Sequence, residues 1–375
     1  MKKKLFHKAQ RISAMGLREA IRINQKLQLI DLRMPEDYAK WHIPGAVCAD
    51  INEELKAGRF DVLESLMIDR NKPVVFVCEE GILADSAAEY LSDRGFQAFS
   101  LEQGMLGWSM LWDTAIIEQP SFRIIQLRRI GKGCISYMII SQGEAMVIDP
   151  SLYGEVYIQL AEYYGARITC IFETHLHADH LMRGRYLAHQ LGVRYYLPRN
   201  IPVFYEYFSY DEKLNHRLGA GNLTAIHTPG HTPESFSLVW NNEYVFTGDM
   251  VFHDGVGRPD LRVRNHEELI HAAELLVDSL YKLIMDFPHA RYMGGHFREL
   301  SSNERGVIWF GKQDLLLRYP EPEQWRKFLL PLLVENLPSP PPHFEEIIRF
   351  NKEGNLPISP EDLRLESGKN RCATH

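Results

Sequence analysis

Short apolar runs alternate with amphipathic segments over residues 1–118, and this pattern predicts strands that are separated by helices. Ser13 is a suitable N-cap for a helix that continues to about Asn24, because its hydroxyl can accept a hydrogen bond from a backbone N–H group. Strands are predicted over residues 27–32, 73–78 and 97–101, with a further helix over 82–94. Strands joined through helices favour a parallel sheet. Residues 1–118 are therefore predicted to form one small α/β domain.

From Phe122 the chain changes to β-rich runs that are separated by short turns containing glycine. The runs at 122–129, 134–140 and 144–149 predict an antiparallel meander. Further elements are predicted as a helix over 152–164, a strand over 168–172, a helix over 181–191 and an amphipathic helix over 266–286. Strands of this kind with helices outside them predict an αββα layered domain over residues 119–310.

The last part of the chain, residues 311–375, differs because nine of the 20 prolines lie beyond Arg318. Proline interrupts helices and favours extended backbone. We expect one or two short helices, joined by extended stretches, that wrap over the rest of the protein.

The charge balance is mildly acidic, with 42 Lys and Arg against 49 Asp and Glu and a formal net charge of −7. Nucleic-acid binding requires a basic surface, so this balance counts against a nucleic-acid partner. No apolar run approaches the roughly 18 residues of a membrane span, and the basic N-terminus lacks the apolar stretch of a secretory signal. The five cysteines are scattered without a CxxC pair, which favours a reducing compartment. We expect a cytoplasmic protein that binds neither nucleic acid nor membranes.

Histidine and aspartate residues cluster at predicted strand ends in the second half of the chain. The candidates are His175, His177, Asp179 and His180 in THLHADH, His231 in TPGHTPES, Asp249 in FTGD and His296 in MGGHF. Imidazole and carboxylate groups are the ligands of zinc and of non-haem iron. The seven side chains are therefore predicted to form one metal centre at one mouth of the sheet.

These motifs, in this order, resemble the metallo-β-lactamase superfamily over about residues 122–310. The resemblance implies an αββα sandwich with metal between the two sheets. In a two-metal member, His175, His177 and His231 would hold the first ion. Asp179, His180 and His296 would hold the second, and Asp249 would bridge the two.

One further segment, MVFHDGVGRPDL at residues 250–261, resembles the persulfide dioxygenase branch. That resemblance implies one Fe(II) per chain, held by His175, His231 and Asp249, with the remaining candidates orienting these ligands. It further implies that Arg258 receives a substrate carboxylate, which a planar guanidinium suits. The alternative for Arg258 is a local salt bridge with Asp260.

The N-terminal segments LIDLRMPEDYAKWHIPGAV (29–47), VVFVCEEG (74–81) and LEQGMLGW (101–108) resemble a rhodanese domain. The resemblance implies that Cys78 carries sulfur as a persulfide. Leu83 stands where rhodanese loops usually place an arginine, and Glu79 and Glu80 are expected to raise the pKa of Cys78. Two interpretations stay open, a sulfur acceptor for neutral or protein-bound donors and a structural domain.

Three functions are compatible with this combination. The first is oxidation of a low-molecular-weight persulfide, such as glutathione persulfide, by O₂ at Fe(II), which yields sulfite and the thiol. The second is a zinc hydrolase of the glyoxalase II type, with one or two Zn²⁺, that acts on thioesters. The third is a sulfur-relay protein with an inactive metal domain. A sulfur-donor protein and a second copy of the chain are the expected macromolecular partners.

The remaining cysteines carry weaker expectations. Cys48, Cys134 and Cys170 are interpreted as buried small residues, because they lie in or beside predicted strands or turns. Cys372 lies in a late segment whose alternatives are a disordered tail and a tail that folds back to the metal mouth.

Overall fold

The computed structural model describes residues 10–297, 306–335, 337–355, 358, 362–368 and 372–374. The described residues form two units. Residues 10–111 with 367 and 368 make the first, and the remainder makes the second. The strand that covers residues 112–118 pairs with the strand that follows it, so the second unit begins at Trp112 and not at residue 119 as predicted.

The first unit is built on a five-stranded parallel sheet, as the alternation of strands and helices predicted. Its strands are β1 (Gln10–Ile12), β2 (Gln28–Asp31), β3 (Val47–Cys48), β4 (Val74–Val77) and β5 (Ala98–Leu101), in the order β1-β5-β4-β2-β3. Its helices are α1 (Ala14–Arg22), α2 (Pro35–Lys40), α3 (Asn52–Lys56), α4 (Ile82–Ser92) and α5 (Gly104–Ser109), with a 3₁₀ turn at Phe60–Ser65. Ser13 caps α1 as expected, since its Oγ accepts a hydrogen bond from the N–H of Gly16 at 3.1 Å.

The second unit contains two sheets that share one apolar core. The first sheet consists of β6 (Trp112–Glu118), β7 (Arg123–Arg129), β8 (Cys134–Ser141), β9 (Glu144–Ile148), β10 (Arg167–Phe172), β11 (Arg194–Pro198) and β12 (Phe208–Tyr210). The second consists of β13 (Asn215–Leu218), β14 (Gly221–His227), β15 (Phe236–Trp240), β16 (Tyr244–Gly248) and β19 (Arg291–Gly294). Strands β7 to β9 are the predicted antiparallel meander, which β6 extends by pairing antiparallel with β7, while β9 to β12 run parallel. Ile139, Phe172, Leu238 and Trp240 belong to the core between the sheets.

Helices lie outside both sheets, which gives the predicted αββα layers. They are α6 (Gly154–Tyr163) and α7 (Gly184–Leu191) against β10, and α8 (His266–Asp286) against the outer face of β15 and β16. Helix α7 begins three residues later than predicted. Leu181 and Met182, before the helix, donate their backbone N–H groups to the side chains of Glu366 and Asn351.

The C-terminal part contains more helix than the proline content suggested. Three helices are described there, α9 (Lys312–Arg318), α10 (Trp325–Glu335) and α11 (Phe344–Glu353), with 3₁₀ turns at Pro322–Gln324 and Asp362–Glu366. Leu315, Trp325 and Leu329 pack into the same core as α8. A small antiparallel sheet joins β17 (Val251–Phe252), β18 (Gly255–Gly257) and β20 (Ala373–Thr374). Among the described residues, no helix is both long and apolar enough to span a membrane.

Candidate metal centre

Loops at the ends of four strands bring the predicted ligands together. The loops that follow β10, β14, β16 and β19 carry, in that order, residues 175–180, His231, Asp249 and His296. All seven candidate side chains are at most 3% exposed. Burial of so many polar and ionisable groups is costly unless each has a hydrogen-bond or ionic partner. A metal ion that several of these side chains bind together would be such a partner.

His175, His231 and Asp249 form the first cluster, with one possible ligand atom from each lying within 4.8 Å of the others. Asp249 Oδ2 lies 3.8 Å from His175 Nε2 and 3.6 Å from His231 Nε2. Atoms at these separations can both lie about 2 Å from one divalent ion. Two imidazoles and one carboxylate make the ligand set of many non-haem Fe(II) sites.

Each of the five histidines has one ring nitrogen held by a hydrogen bond. The acceptors are Thr174 Oγ1 for His175, Glu173 Oε2 for His177, Asp179 Oδ1 for His180, the Arg258 carbonyl for His231 and the Gly133 carbonyl for His296. Within the described part of the chain, the other nitrogen of each ring has no hydrogen-bond partner of acceptable geometry, nor do the two Asp249 carboxylate oxygens. Buried polar atoms without partners are rare, and an outer acceptor that orients each imidazole is typical of metal ligands. The donor set therefore fits a metal centre.

Two acidic residues that the sequence analysis did not single out hold these ligands in place. Asp149 accepts hydrogen bonds from the backbone N–H of Thr174 at 2.7 Å and from the Thr174 hydroxyl at 2.8 Å. Glu173 Oε2 lies 3.2 Å from His177 Nε2. Burial alone would lower the pKa of His177, but the hydrogen bonds to Asp149 and Glu173 raise this pKa well above its ordinary value. The sequence does contain an indication of both residues, which is their position: Asp149 directly follows β9 and Glu173 directly follows β10, and both strands are largely buried.

The charges of the first cluster suit metal binding. Burial lowers the pKa of His175 and of His231, which keeps both imidazoles neutral. Burial would raise the pKa of Asp249, but the nearby imidazoles of His296 and His175 hold it below its ordinary value. Neutral imidazole and ionised carboxylate are the forms that ligate metal.

A second cluster lies beside the first and shares Asp249 with it. His296 Nε2 lies 3.0 Å from Asp249 Oδ1 and 3.6 Å from Asp179 Oδ2. Cys372 also belongs to this cluster. Cys134 is buried, as predicted, but its thiol donates to Asp179 Oδ2 at 3.2 Å, which places it beside the candidate ligands.

In the first unit, Cys78 follows β4 in the loop that leads into α4, and it is 5% exposed. The backbone N–H of Ala84 donates to its Sγ at 3.3 Å. Burial raises the pKa of the Cys78 thiol, and backbone N–H groups of the loop partly oppose the rise. The pKa of Cys78 is raised, as the sequence predicted. Its main cause is burial, however, and not the charges of Glu79 and Glu80. Glu79 instead faces Arg33 Nη1 at 3.5 Å.

Comparison with known families assigns both units. Residues 16–111 match the model of the rhodanese-like domain, and residues 130–296 match that of the metallo-beta-lactamase superfamily. The chain joins a rhodanese-like domain to a metallo-beta-lactamase domain. Both assignments agree with the resemblances seen in the sequence.

Individual relatives cover one domain or the other. The "Putative sulfurtransferase YtwF" of Bacillus subtilis is 33% identical over 100 residues, which are 26% of this chain and 87% of that protein. Hydroxyacylglutathione hydrolase GloC of Haemophilus influenzae is 28% identical over 174 residues, which are 40% of this chain and 81% of that protein. A crystal structure of a metallo-beta-lactamase from Staphylococcus aureus superposes with a TM-score of 0.55 at 26% identity, covering 64% of this chain and 76% of that one. The metallo-beta-lactamase fold indicates a metal-dependent enzyme.

Within the metallo-beta-lactamase domain, Arg258 is fully buried and its guanidinium is held by other groups. It donates to both Asp260 carboxylate oxygens at 2.7 and 2.8 Å. It also donates to the carbonyl oxygens of Ser339 at 3.0 Å and Pro338 at 2.7 Å. This geometry favours the local salt bridge over the predicted contact with a substrate carboxylate. The role of Arg258 here is to join the turn after β18 to the C-terminal part of the domain.

Proposed function

We propose that the protein oxidises a low-molecular-weight persulfide with O₂ at one Fe(II) held by His175, His231 and Asp249. The balanced reaction is R–SSH + O₂ + H₂O → R–SH + SO₃²⁻ + 2 H⁺. The terminal sulfur is oxidised, O₂ is reduced, and the sulfur–sulfur bond is broken. The observation that carries the proposal is the cluster of two imidazoles and one carboxylate within 4.8 Å.

When bound, Fe(II) supplies redox chemistry towards O₂ and a coordination site for an anionic sulfur, because a facial triad leaves positions open. The protein's own groups prepare that site. Thr174 and the Arg258 carbonyl hold Nδ1 of His175 and His231, so that Nε2 of each ring faces the cluster. All seven candidate side chains are at most 3% exposed, so the reaction would take place at a buried centre.

The presence of a rhodanese-like domain supports a sulfur compound as the substrate of the metal centre. A domain that accepts sulfane sulfur on Cys78 and one that oxidises sulfane sulfur act on the same chemical class. The raised pKa of the Cys78 thiol lowers the fraction of thiolate, the form that attacks a sulfur donor. Leu83, where rhodanese loops usually place an arginine, gives the loop no cation for thiosulfate, so we expect donors that are neutral or protein-bound. Detection of a mass increase of one sulfur atom on Cys78, after incubation with a sulfur donor, tests this part separately.

The deciding experiment measures oxygen uptake by anaerobically purified, Fe(II)-loaded protein that receives glutathione persulfide. We expect rapid uptake by the wild type and none by Asp249→Ala, which should also lose iron. Asp286→Ala is the matched control, because this exposed aspartate at the end of α8 lies outside both clusters. Absence of uptake by a wild-type sample with confirmed iron content would refute the proposal.

A hydrolase of the glyoxalase II type is the second candidate, and one observation favours it specifically. His177 Nδ1, His180 Nε2 and His296 Nε2 lie outside the cluster of His175, His231 and Asp249, and they are buried without hydrogen-bond partners of acceptable geometry in the described structure, as expected when a two-metal site uses all of them. When bound, Zn²⁺ supplies a hydroxide nucleophile at neutral pH. Cleavage of a hydroxyacylglutathione thioester by zinc-loaded protein, without oxygen uptake by iron-loaded protein, would favour this candidate.

A further inference from the structure

Two described parts of the C-terminal segment, Glu366 and β20, are fixed to the metallo-beta-lactamase domain. The buried Glu366 pairs with Arg129 at 3.0 Å and with Arg183, and its Oε1 accepts the backbone N–H of Leu181 at 2.9 Å. Strand β20 pairs with β18. The Arg258 N–H also donates to the Cys372 carbonyl at 3.0 Å. These contacts place Cys372 next to the turn that carries Arg258.

The side chain of Cys372 lies among candidate metal ligands. Its Sγ, His296 Nε2 and one carboxylate oxygen each of Asp179 and Asp249 are all within 4.8 Å of one another. Cys372 is 0% exposed. His180, which the superfamily resemblance assigned to the second ion, groups instead with Cys134 and Asp179. The thiol therefore stands in this cluster where an imidazole was expected.

An independent observation shows that the cluster is suited to a cation. His296 donates its Nδ1–H to the Gly133 carbonyl at 3.3 Å, so the lone pair of its neutral form is on Nε2. Across the described residues, neither that Nε2 nor the two Asp249 carboxylate oxygens have a hydrogen-bond partner of acceptable geometry. Two buried carboxylates beside a buried thiol also need a positive charge nearby.

We propose that Cys372 ligates a divalent metal ion together with Asp179, Asp249 and His296, at a position adjacent to the His175, His231 and Asp249 cluster. Binding forms a metal–sulfur bond and breaks the S–H bond of Cys372, whose proton goes to solvent. No electron is transferred. The thiolate ligand favours zinc, iron or cobalt over magnesium or calcium. The inference goes beyond the proposed function, because it holds whether the centre oxidises persulfides or cleaves thioesters.

Metal binding at this site should change how easily reagents reach the Cys372 thiol. With Cys372 bound, the metal connects β20 to loops that follow β10, β16 and β19. Metal binding would then restrain Cys372 and β20, which would be easier to release in the metal-free protein. Modification of the Cys372 thiol by a maleimide should accordingly be slow with metal and faster without it.

The test uses the full chain, stripped of metal with a chelator and reloaded anaerobically with Co²⁺. A cobalt–thiolate bond produces a sulfur-to-cobalt charge-transfer absorption in the near ultraviolet, which nitrogen and oxygen ligands do not produce. We expect this absorption in the wild type and its loss in Cys372→Ser. The affinity for the second equivalent of Co²⁺ should fall by at least about 10-fold, because ligand loss exceeds the effect of an outer contact.

Two further variants make the result specific. Cys170→Ser should keep the absorption, because Cys170 is a buried cysteine whose Sγ contacts His216 away from both clusters. Loss of the absorption in Cys134→Ser with retention in Cys372→Ser would overturn the assignment and place the thiolate at Cys134. An unchanged spectrum in Cys372→Ser would overturn it as well.

A second measurement uses only the wild-type protein, so its result does not depend on whether Cys372→Ser folds. Maleimide labelling of the peptide that contains Cys372 is compared by mass spectrometry in metal-free and Co²⁺-loaded protein. We expect labelling to be at least about 10-fold slower with metal, and equal rates would contradict the site. Neither readout depends on oxygen uptake, so this proposal and the proposed function can fail separately.

Discussion

His231 donates its Nδ1–H to the carbonyl oxygen of Arg258 at 2.8 Å, and this contact links a candidate iron ligand to the GRPD turn. The turn thus contributes a backbone atom to the site, while the Arg258 side chain faces Asp260 and the C-terminal part of the domain. An outer hydrogen bond of this kind sets the tautomer and orientation of a ligating imidazole. The turn is therefore a positioning element for His231.

Gly257 offers the means to test this positioning. A Cβ atom at residue 257 would lie 1.8 Å from the Asp249 carbonyl oxygen and 3.3 Å from His231 Nδ1, so Gly257→Ala must displace the turn. We expect iron affinity to fall about 10- to 100-fold. Iron content after equilibration with a competing chelator measures the change. Gly306→Ala is the control, because a Cβ atom there meets nothing within 4 Å. Equal iron content in both variants would contradict the assigned role.

The local elements and the grouping of His175, His231 and Asp249 could be predicted because their signals are short in sequence. The apolar run before His175 predicted a strand that ends where the ligands begin, and β10 ends at Phe172. Helix α8 has the predicted bounds, since its amphipathic stripe and its cap at Asn265 are local features.

Contacts between distant segments could not be predicted in the same way. Asn351 contacts the His177 carbonyl across 174 residues of chain, and Cys372 approaches His296 and Asp179 across 76 and 193 residues. Their positions depend on the path of a proline-rich segment, which neither periodicity nor spacing specifies. Arg258 shows the same limit, because only the folded chain reveals that its donors are occupied by Asp260 and two distant carbonyl groups.

The thiol of Cys78 should react slowly at neutral pH. Burial raises its pKa, so the midpoint of its alkylation rate against pH should lie above the roughly 8.5 of free cysteine. Leu83→Arg places a cation in the loop and should move the midpoint about 1 pH unit lower. Leu83→Gln is the uncharged control. Alkylation is followed on the Cys78 peptide by mass spectrometry, and a wild-type midpoint below 8.5 would disprove the expectation.

Acid should destabilise the metallo-beta-lactamase domain through Glu366. Burial would raise the pKa of Glu366, but Arg129 and Arg183 hold it well below its ordinary value. A carboxyl whose folded pKa is depressed contributes stability that is present above its unfolded pKa of about 4.3 and is lost as the pH falls further. The free energy of unfolding should therefore decrease as the pH falls below about 4.3, and Glu366→Gln should weaken this dependence.

At pH 7, Glu366→Gln should itself be costly, because it leaves buried guanidinium groups without their carboxylate. We expect a loss of about 3–5 kcal/mol in the free energy of unfolding, measured by urea denaturation of metal-free protein. Asp278→Asn removes the exposed ion pair with Arg326, which solvent screens, and should cost much less than Glu366→Gln. Similar losses for the two variants would show that the Glu366 network contributes no more than a surface pair.

Asn351 connects the C-terminal helix α11 to the loop that carries THLHADH. Its Nδ2 donates to the carbonyl oxygens of His177 and His180, both at 2.9 Å, and its Oδ1 accepts the N–H of Met182 at 2.8 Å. The asparagine is 2% exposed, so its loss leaves buried backbone groups without partners. Asn351→Ala should therefore loosen this loop and lower metal affinity while both domains stay folded.

We expect the metal affinity of Asn351→Ala to be about 10- to 100-fold below that of the wild type, the range for loss of an outer contact. Competition with a chromogenic chelator gives the affinity, and circular dichroism verifies that the helix content is retained. Glu345→Ala, on an exposed position of the same helix, controls for helix stability. If Asn351→Ala binds metal as tightly as Glu345→Ala, α11 covers the loop without holding its ligands. If it binds more weakly with unchanged helix content, a segment beyond residues 130–296 is part of what positions the metal centre.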